Sequence, residues 1–345
     1  MKLVYKILFL FTLFCYLSVF VSPETFWMAG FASFLIPTLL LLHLSLLILS
    51  IIRKKKTYIY PLLALLFGIP FILQTFTFHT GKEKSNLTVL SYNTRVFNVY
   101  KHLNTNFISS KKMIEWVIND TSDIKCFQEY YNDPTSKLFT TTIKIRDKGY
   151  HSFHKPLIVN KIGAEFGLAI FTKHKIIKKG VVDFKKGRNK FAIFVDVQFN
   201  EDTLRIYNVH LESMSIDQSS ITDAEKFQNS YIDLFHRLKR GMITRSLQAD
   251  ELADHMQHCP YKIIMCGDLN ELPYSYTYYK FKNKLSNSFE TAGNGFGFSF
   301  NGKLPFLRID NQFYGEGIEI SEYKTLKEVS YSDHFPIKAK YFVAQ

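Results

Sequence analysis

The chain has 345 residues, 47% of them apolar, so burying a sizeable core is no difficulty for it. Lysine and arginine outnumber aspartate and glutamate by 43 to 30, a formal charge of +13 that favours anionic partners: nucleic acid, phospholipid headgroups or other phosphorylated compounds. Four cysteines, with no CxxC and no Cys/His spacing suited to zinc, exclude a disulfide-stapled scaffold and a structural zinc site.

The apolar residues are unevenly spread. Three long hydrophobic stretches, residues 3–21, 26–52 and 58–78, dominate the N-terminal part. Each reaches the roughly 20 residues that a helix needs to cross a bilayer core. The expectation is a three-helix, all-α transmembrane anchor over residues 1–80. Ser22, Pro23 and Glu24 separate the first stretch from the second, and Arg53, Lys54, Lys55 and Lys56 separate the second from the third. Short loops rich in Lys and Arg stay on the cytoplasmic side. Lys2, Lys6 and the 53–56 cluster therefore belong inside. Three crossings then put everything after His79 outside, against a weak opposing pull from Lys82 and Lys84. The expected location is the cytoplasmic membrane, N-terminus inside, with a second domain, residues 81–345, on the extracytoplasmic face.

From Asn86 onward strand and helix patterns alternate. Residues 87–92 predict a buried strand. Met113, Ile114, Val117 and Ile118 share one face of a helix over 109–119. Strands follow at 123–128 and 167–172, then a hairpin, 191–199 with 203–210, turning at Asn200, Glu201 and Asp202. A long helix is expected over 222–258, a strand at 261–266, a helix at 275–285, and closing strands at 307–313 and 335–343. This order implies a layered α/β architecture, and the hairpin pairs imply mixed sheets.

Several strands end in polar groups suited to metal or phosphate. The segments are Leu90-Ser91-Tyr92-Asn93, Phe127-Gln128-Glu129, Tyr207-Asn208-Val209-His210, Cys266-Gly267-Asp268-Leu269-Asn270, Arg308-Ile309-Asp310 and Ser332-Asp333-His334-Phe335-Pro336. Strand ends on one rim of a sheet can converge on a single site. A hard cation such as Mg²⁺ takes oxygen ligands and needs only one or two carboxylates with water.

In order and spacing these segments resemble the endonuclease/exonuclease/phosphatase superfamily, which includes deoxyribonuclease I-like nucleases, neutral sphingomyelinases and inositol-phosphate phosphatases. The ordered set N…QE…NxH…GDxN…RID…SDHxP carries the resemblance over residues 87–343. It implies a four-layered α/β sandwich, two packed β-sheets flanked by helices. It implies Mg²⁺ or Mn²⁺ held by Glu129, with Asn93 beside it and Asp333 supporting metal or water. Asp268 and Asn270 resemble the pair that positions the attacking water and grips the phosphate, and Asn208 a further phosphate contact. His210 resembles the histidine that stabilises phosphoryl charge or assists the leaving group. His334 resembles a general base held in its tautomer by Asp310. Asn311 departs from the family pattern, which commonly has an aromatic residue there.

Phosphodiester hydrolysis needs charge withdrawn from the phosphoryl oxygens, a deprotonated water in line, and a protonated leaving oxygen. The expected protein is thus a membrane-embedded, metal-dependent phosphodiesterase, nuclease-like or phospholipase-like. Its substrate is nucleic acid or phospholipid at the outer face, and no obligate protein partner is evident. Two alternatives stay open: an inactive anion-binding or scaffold protein on the same fold, and a narrow-specificity phosphomonoesterase. Arg95 and Arg188 are candidate substrate contacts. The pair His151 and His154 lacks a carboxylate and reads as incidental, while the aromatic stretch 274–281, Arg245 and Gln248 read as packing residues.

Overall fold

The apolar runs become strands in a computed structural model of the protein, which describes residues 2–81, 84–103, 107–185, 190–213 and 224–344. In chain order the strands are β1 (Thr77–Phe78), β2 (Leu87–Asn93), β3 (Ile124–Asn132), β4 (His151–Val159), β5 (Glu165–Thr172), β6 (Ile176–Asp183) and β7 (Phe191–Phe199). They continue with β8 (Asp202–His210), β9 (Lys262–Asp268), β10 (Ser286–Asn287), β11 (Asn294–Gly295), β12 (Asp310–Tyr314), β13 (Ile318–Thr325) and β14 (Ile337–Val343). One six-stranded sheet has the order β13-β14-β2-β3-β5-β4 and the other β10-β12-β9-β8-β7-β6, with β1 and β11 paired apart. Each large sheet contains one parallel pair, β2 with β3 and β8 with β9.

Leu87, Val89, Ile124, Cys126 and Ile170 of the first sheet pack with Ile193, Val195, Ile206, Ile264 and Cys266 of the second. Helix Ile108–Asn119 covers the first sheet's outer face through Met113, Ile114 and Val117. Helix Ala224–Gln257 covers the second through Ala249, Leu252 and Met256, against Phe194, Tyr207 and Met265. These layers form the expected α/β sandwich. Central strands such as β9 are buried on both faces and read as unbroken apolar runs. Strands β4, β6 and β13 lie at sheet edges and expose much of their length. They carry no such run, which is why sequence pattern passes over them.

The N-terminal stretches depart from expectation. Helices Lys2–Ser18, Trp27–Phe34, Ile36–Ile52, Ile59–Phe67 and Ile69–Thr75 form there. Among the described residues no single helix is long and apolar enough to cross a membrane, so three uninterrupted spanning helices are not what forms. The second and third stretches are pairs bent by 43° and 56°, each pair with the length and composition of one span. Pro37 and Pro70 account for the bends. Each sits in the first turn of the second helix of its pair. There the missing N–H costs nothing, while the ring prevents the preceding helix from running on. Cys15, Val19, Ile36, Leu39 and Phe71 pack together, and Tyr274 of the sandwich joins them.

Two buried amides tie the sheets to each other. Asn208 Nδ2 donates to the carbonyls of Phe127 at 2.8 Å and Ala169 at 2.9 Å, and its Oδ1 accepts from Gln128 Nε2 at 2.6 Å. Gln312 Nε2 donates to the carbonyls of Val89 and Ile337, at 3.2 and 3.1 Å. Asn208→Ala strands buried partners in the other sheet. A loss of about 2–5 kcal/mol is expected, from about 1–3 kcal/mol per unsatisfied buried group, read as a lowered unfolding midpoint of the full chain. An unchanged midpoint would show that Asn208 does not tie the sheets.

Candidate active site

Register decides which side chains meet. His210 of β8 pairs with Asp268 of β9, and Asp268 with Asp310 of β12, so three of them stand abreast at one rim. On the first sheet Asn93 ends β2 beside Gln128. The two rims then touch: Asn93 Nδ2 donates to Asp268 Oδ2 at 3.0 Å and lies 3.5 Å from Glu129 Oε1. Gly267 permits the close pairing of β8 with β9, since a Cβ there would sit 2.0 Å from the Val209 carbonyl oxygen.

Glu129 reaches the rim through an irregularity. Strict alternation would aim it at the outer face with Phe127. Instead β3 bulges between Phe127 and Tyr130, and Glu129 adopts a left-handed φ of 48°. Asn270 is left-handed too, with φ 50°. Its N–H donates to Asp268 Oδ1 at 2.8 Å, and its Nδ2 to the Leu211 carbonyl at 3.2 Å. Strain of this kind costs roughly 1–3 kcal/mol per residue and gathers at functional sites. Arg95–Asn98 form a further left-handed run just after Asn93.

His334 Nδ1 bonds Asp310 Oδ2 at 2.8 Å, which leaves Nε2 facing the site, 3.8 Å from Asp268 Oδ2. Ser299 Oγ donates to the same Asp310 oxygen at 2.7 Å and accepts the N–H groups of Ile309 and Asp310. His210 Nε2 stands 3.7 Å from Asp268 Oδ2 and 3.9 Å from Glu129 Oε1. Behind the site, the buried Arg245 bonds Glu271 at 2.8 Å and the Glu212 carbonyl at 2.9 Å, and Gln248 accepts the Glu212 N–H. Both hold the loops that follow His210 and Asp268.

Burial dominates the electrostatics. It raises Glu129, opposed by His334, and with Asp310 it lifts Asp268 to about 7. Burial alone would lower His334, but Asp310 and then Asp268 raise it to about 10. Burial, Lys190 and His334 push His210 well below its usual range. One imidazole is therefore held charged and the other neutral.

Asn93, Glu129, His210, Asp268, Asn270, Asp310 and His334 come together as the motifs imply. Asn208 does not. It lies one pair deeper along β8, wholly buried, with its amide committed to the other sheet, so the phosphate-contact expectation fails for it. Asp333 stays at the margin, where Arg95 Nε approaches it to 3.3 Å. The densest cluster of ligand atoms is instead Asp268, Asp310 and His334. Asp310 and His334 are already spent on each other, however, which leaves Asp268 and Glu129 as the freer oxygen donors. Arg188 lies outside the described residues. His154 meets Glu165 at 2.9 Å, away from these groups. Asn311 replaces ring packing with hydrogen bonds to Asn287 and Arg308. Sequence reasoning missed Lys190, which precedes β7; burial lowers its ammonium, and the negative charges of Glu212, Glu129 and Asp268 oppose that. Its one signal is register: Ala192 pairs with Val209, which sets Lys190 beyond the His210 end of β8.

Fold and site together define a phosphoester-hydrolase class of α/β sandwich. Residues 90–334 match the Endonuclease/Exonuclease/phosphatase family, and the chain belongs to it. Residues 2–75 match a separate domain of unknown function. No curated protein matches the chain. Among solved structures, the fold is similar to the mannosyl-6-phosphatase Bt3783 of Bacteroides thetaiotaomicron, at 18% identity and TM-score 0.54, covering 74% of this chain and 100% of that one. The human Nocturnin catalytic domain with bound sulfate gives 16% and 0.54, covering 77% and 96%. D. rerio TDP2 complexed with single strand DNA product gives 15% and 0.51, covering 74% and 98%.

A raised imidazole contributes stability that is full below its unfolded value, 6.5, and is lost as pH climbs through about 10. A raised buried acid acts in the same direction, its contribution present below 3.8 and lost through about 7. His210, held low, acts oppositely below 6.5, so the effect is read above it: in EDTA, between pH 7 and 10, the wild type should lose thermal stability relative to Asp310→Asn. At pH 8, Mn²⁺ should restore the midpoint in the wild type and much less in Glu129→Gln. A metal effect that survives Glu129→Gln would remove Glu129 from the ligand set.

Proposed function

We propose that the site hydrolyses a phosphodiester with Mg²⁺ or Mn²⁺, by in-line attack of water. One observation carries the reading: the partly buried Glu129 and the buried Asp268 converge, their oxygens met by the Asn93 amide, the Asn270 N–H and, at longer range, by His210 and His334. Such an oxygen pair fits a hard divalent cation, and Glu129 with Asn93 would hold it. When bound, the ion draws charge from the phosphoryl oxygens and acidifies water.

The side chains divide the remaining work. Asp268, oriented by the Asn270 N–H and the Asn93 amide, takes the proton of the attacking water. His334, kept charged by Asp310, donates from Nε2 to a phosphoryl oxygen. This reverses the expected assignment of His334 as base, because a protonated imidazole cannot accept. His210, neutral, donates to the phosphoryl group from the opposite flank, and Lys190 offsets charge on the leaving oxygen. Proton transfer by one placed group contributes about 10²–10⁴-fold. The DNA product held by the fish protein is in keeping with a diester substrate.

The reading includes location. The N-terminal bundle leaves Leu3, Leu17, Phe20, Leu41 and Ile52 more than 60% exposed, an apolar surface that water does not favour. We place it in the cytoplasmic membrane as Lys2–Ser18 and the two bent pairs, with Arg53–Lys56 inside and the sandwich outside. A periplasm-active reporter fused after Gln345 should be active; an active cytoplasmic reporter would reverse the orientation.

Full-length protein in detergent should hydrolyse bis-p-nitrophenyl phosphate with Mn²⁺ and not with EDTA. Asp268→Asn and Glu129→Gln should each lower kcat by about 10²–10⁴-fold. Turnover of p-nitrophenyl phosphate alone would make the protein a phosphomonoesterase.

A further inference from the structure

On the long helix Ala224–Gln257, Arg245 marks the level of the site rim, because it bonds Glu271 and the Glu212 carbonyl on the two loops there. Toward its N-terminus the helix continues at 1.5 Å per residue, so Phe235 stands about 15 Å beyond the rim. The apolar bundle is packed on that projecting part. Phe31 stacks on Phe235, Trp27 meets it edge-on, and Gly30 lies against Met242.

Two further links hold the bundle over the site. The loop after Asp268 enters the bundle's core, where Leu272 and Tyr274 pack with Cys15, Val19 and Ile36. Arg308 Nη2 donates to the Gln74 carbonyl at 2.8 Å. An extended chain covers at most about 3.5 Å per residue, so Asp310 lies within about 7 Å of Arg308, and Asp268 within about 20 Å of Tyr274. The bundle thus stands on the side to which the site opens.

The same side carries exposed apolar residues on the sandwich. Strand β4 runs parallel in direction to β3, being antiparallel to β5, so the β4–β5 hairpin turns at the site rim. Its tip presents Ile158, Val159 and Ile162, each more than half exposed, with exposed Lys155 and Lys161 beside them. Tyr231 and Ile232 are exposed on the projecting helix. Inward from the hairpin, Leu157, Phe166, Leu168 and Phe191 share a crevice of only about 20 Å³ with Lys190 and His210, which continues the apolar surface of the tip toward the site.

We propose that the substrate is a phospholipid, met in the bilayer that holds the bundle; this rests on the hydrolase and membrane readings above. The apolar hairpin tip and helix face enter the interface, and the lysines meet anionic headgroups. The acyl chains stay in the bilayer while the phosphate lies between His210 and His334. Water adds to phosphorus, one P–O ester bond breaks, and the water's proton ends on the leaving oxygen.

The test reconstitutes the full chain with Mn²⁺ in phosphatidylcholine–phosphatidylglycerol vesicles and measures released phosphate products, beside bis-p-nitrophenyl phosphate and single-stranded DNA. Phospholipid should be cleaved. Ile158→Asp with Ile162→Asp should lower that rate about tenfold or more, since each change removes an apolar side chain from the interface, and leave bis-p-nitrophenyl phosphate turnover unchanged. In mixed micelles the rate should follow the surface fraction of phospholipid. Turnover of bis-p-nitrophenyl phosphate without phospholipid cleavage overturns the inference and leaves the hydrolase standing, as does DNA cleaved in preference to lipid. Equal loss on both substrates in the hairpin variant overturns the interfacial role. No turnover of any substrate by folded protein removes the hydrolase reading itself.

Discussion

The hydrogen bond from Asn93 to Asp268 is the interaction on which this site depends. Its partners belong to different sheets, so it forms only if two separately hydrogen-bonded layers arrive at one depth and one register. Sheets packed through aliphatic side chains alone can slide, because apolar contact has no direction. Asn208 and Gln312 remove that freedom. Each reaches from the second sheet into backbone carbonyls of the first. Directional bonds in a low-dielectric interior penalise any shift that breaks them. The rim then inherits a fixed offset, and Asn93 meets Asp268 without adjustment.

That rigidity lets the site hold unfavourable groups. Glu129 and Asp268 are acids that burial discourages from ionising, and Glu129 and Asn270 carry backbone strain. A looser frame would relax by turning either side chain outward. Here β3's bulge, the Ser299–Asp310–His334 chain and the Arg245–Glu271 pair close those routes. A neutral His210 and a charged His334 therefore stand within one small space, and their difference comes from neighbours. His334 has Asp310 at contact, whereas His210 has the charge of Lys190 against it and no carboxylate nearer than 3.7 Å.

Much of this was legible beforehand, for reasons specific to the residues. Central strands are apolar on both faces, so β2, β7, β8 and β9 announce themselves; edge strands β4, β6 and β13 have half their surface in water and do not. The motif residues that sit at strand ends fall together because parallel pairs point their carboxyl ends the same way. Asn208 misled because alternation puts it on the face of His210, and alternation says nothing of depth. Glu129 comes to the site only through a bulge, which has no periodic signature, and the family motif rather than pattern identified it. Lys190 is one lysine among many, and only register distinguishes it. In the N-terminal stretches hydrophobic length alone implies unbroken helices, whereas Pro37 and Pro70 break them.

The link between Gln74 and Arg308 spans 234 residues. During synthesis the bundle emerges first, while the surface that will cover its open side lies far behind in the chain. At about 5–20 residues per second, that surface follows about 10–50 s later. Through this interval Phe71 and its neighbours lack Tyr274, the partner that completes their core. Contacts so distant in sequence carry a large loop-closure cost and are slow to form. A growing chain of this protein is thus most exposed to aggregation or to capture by a chaperone before Arg308 is made, and its yield in a cell is governed by how well that open face is guarded in the meantime.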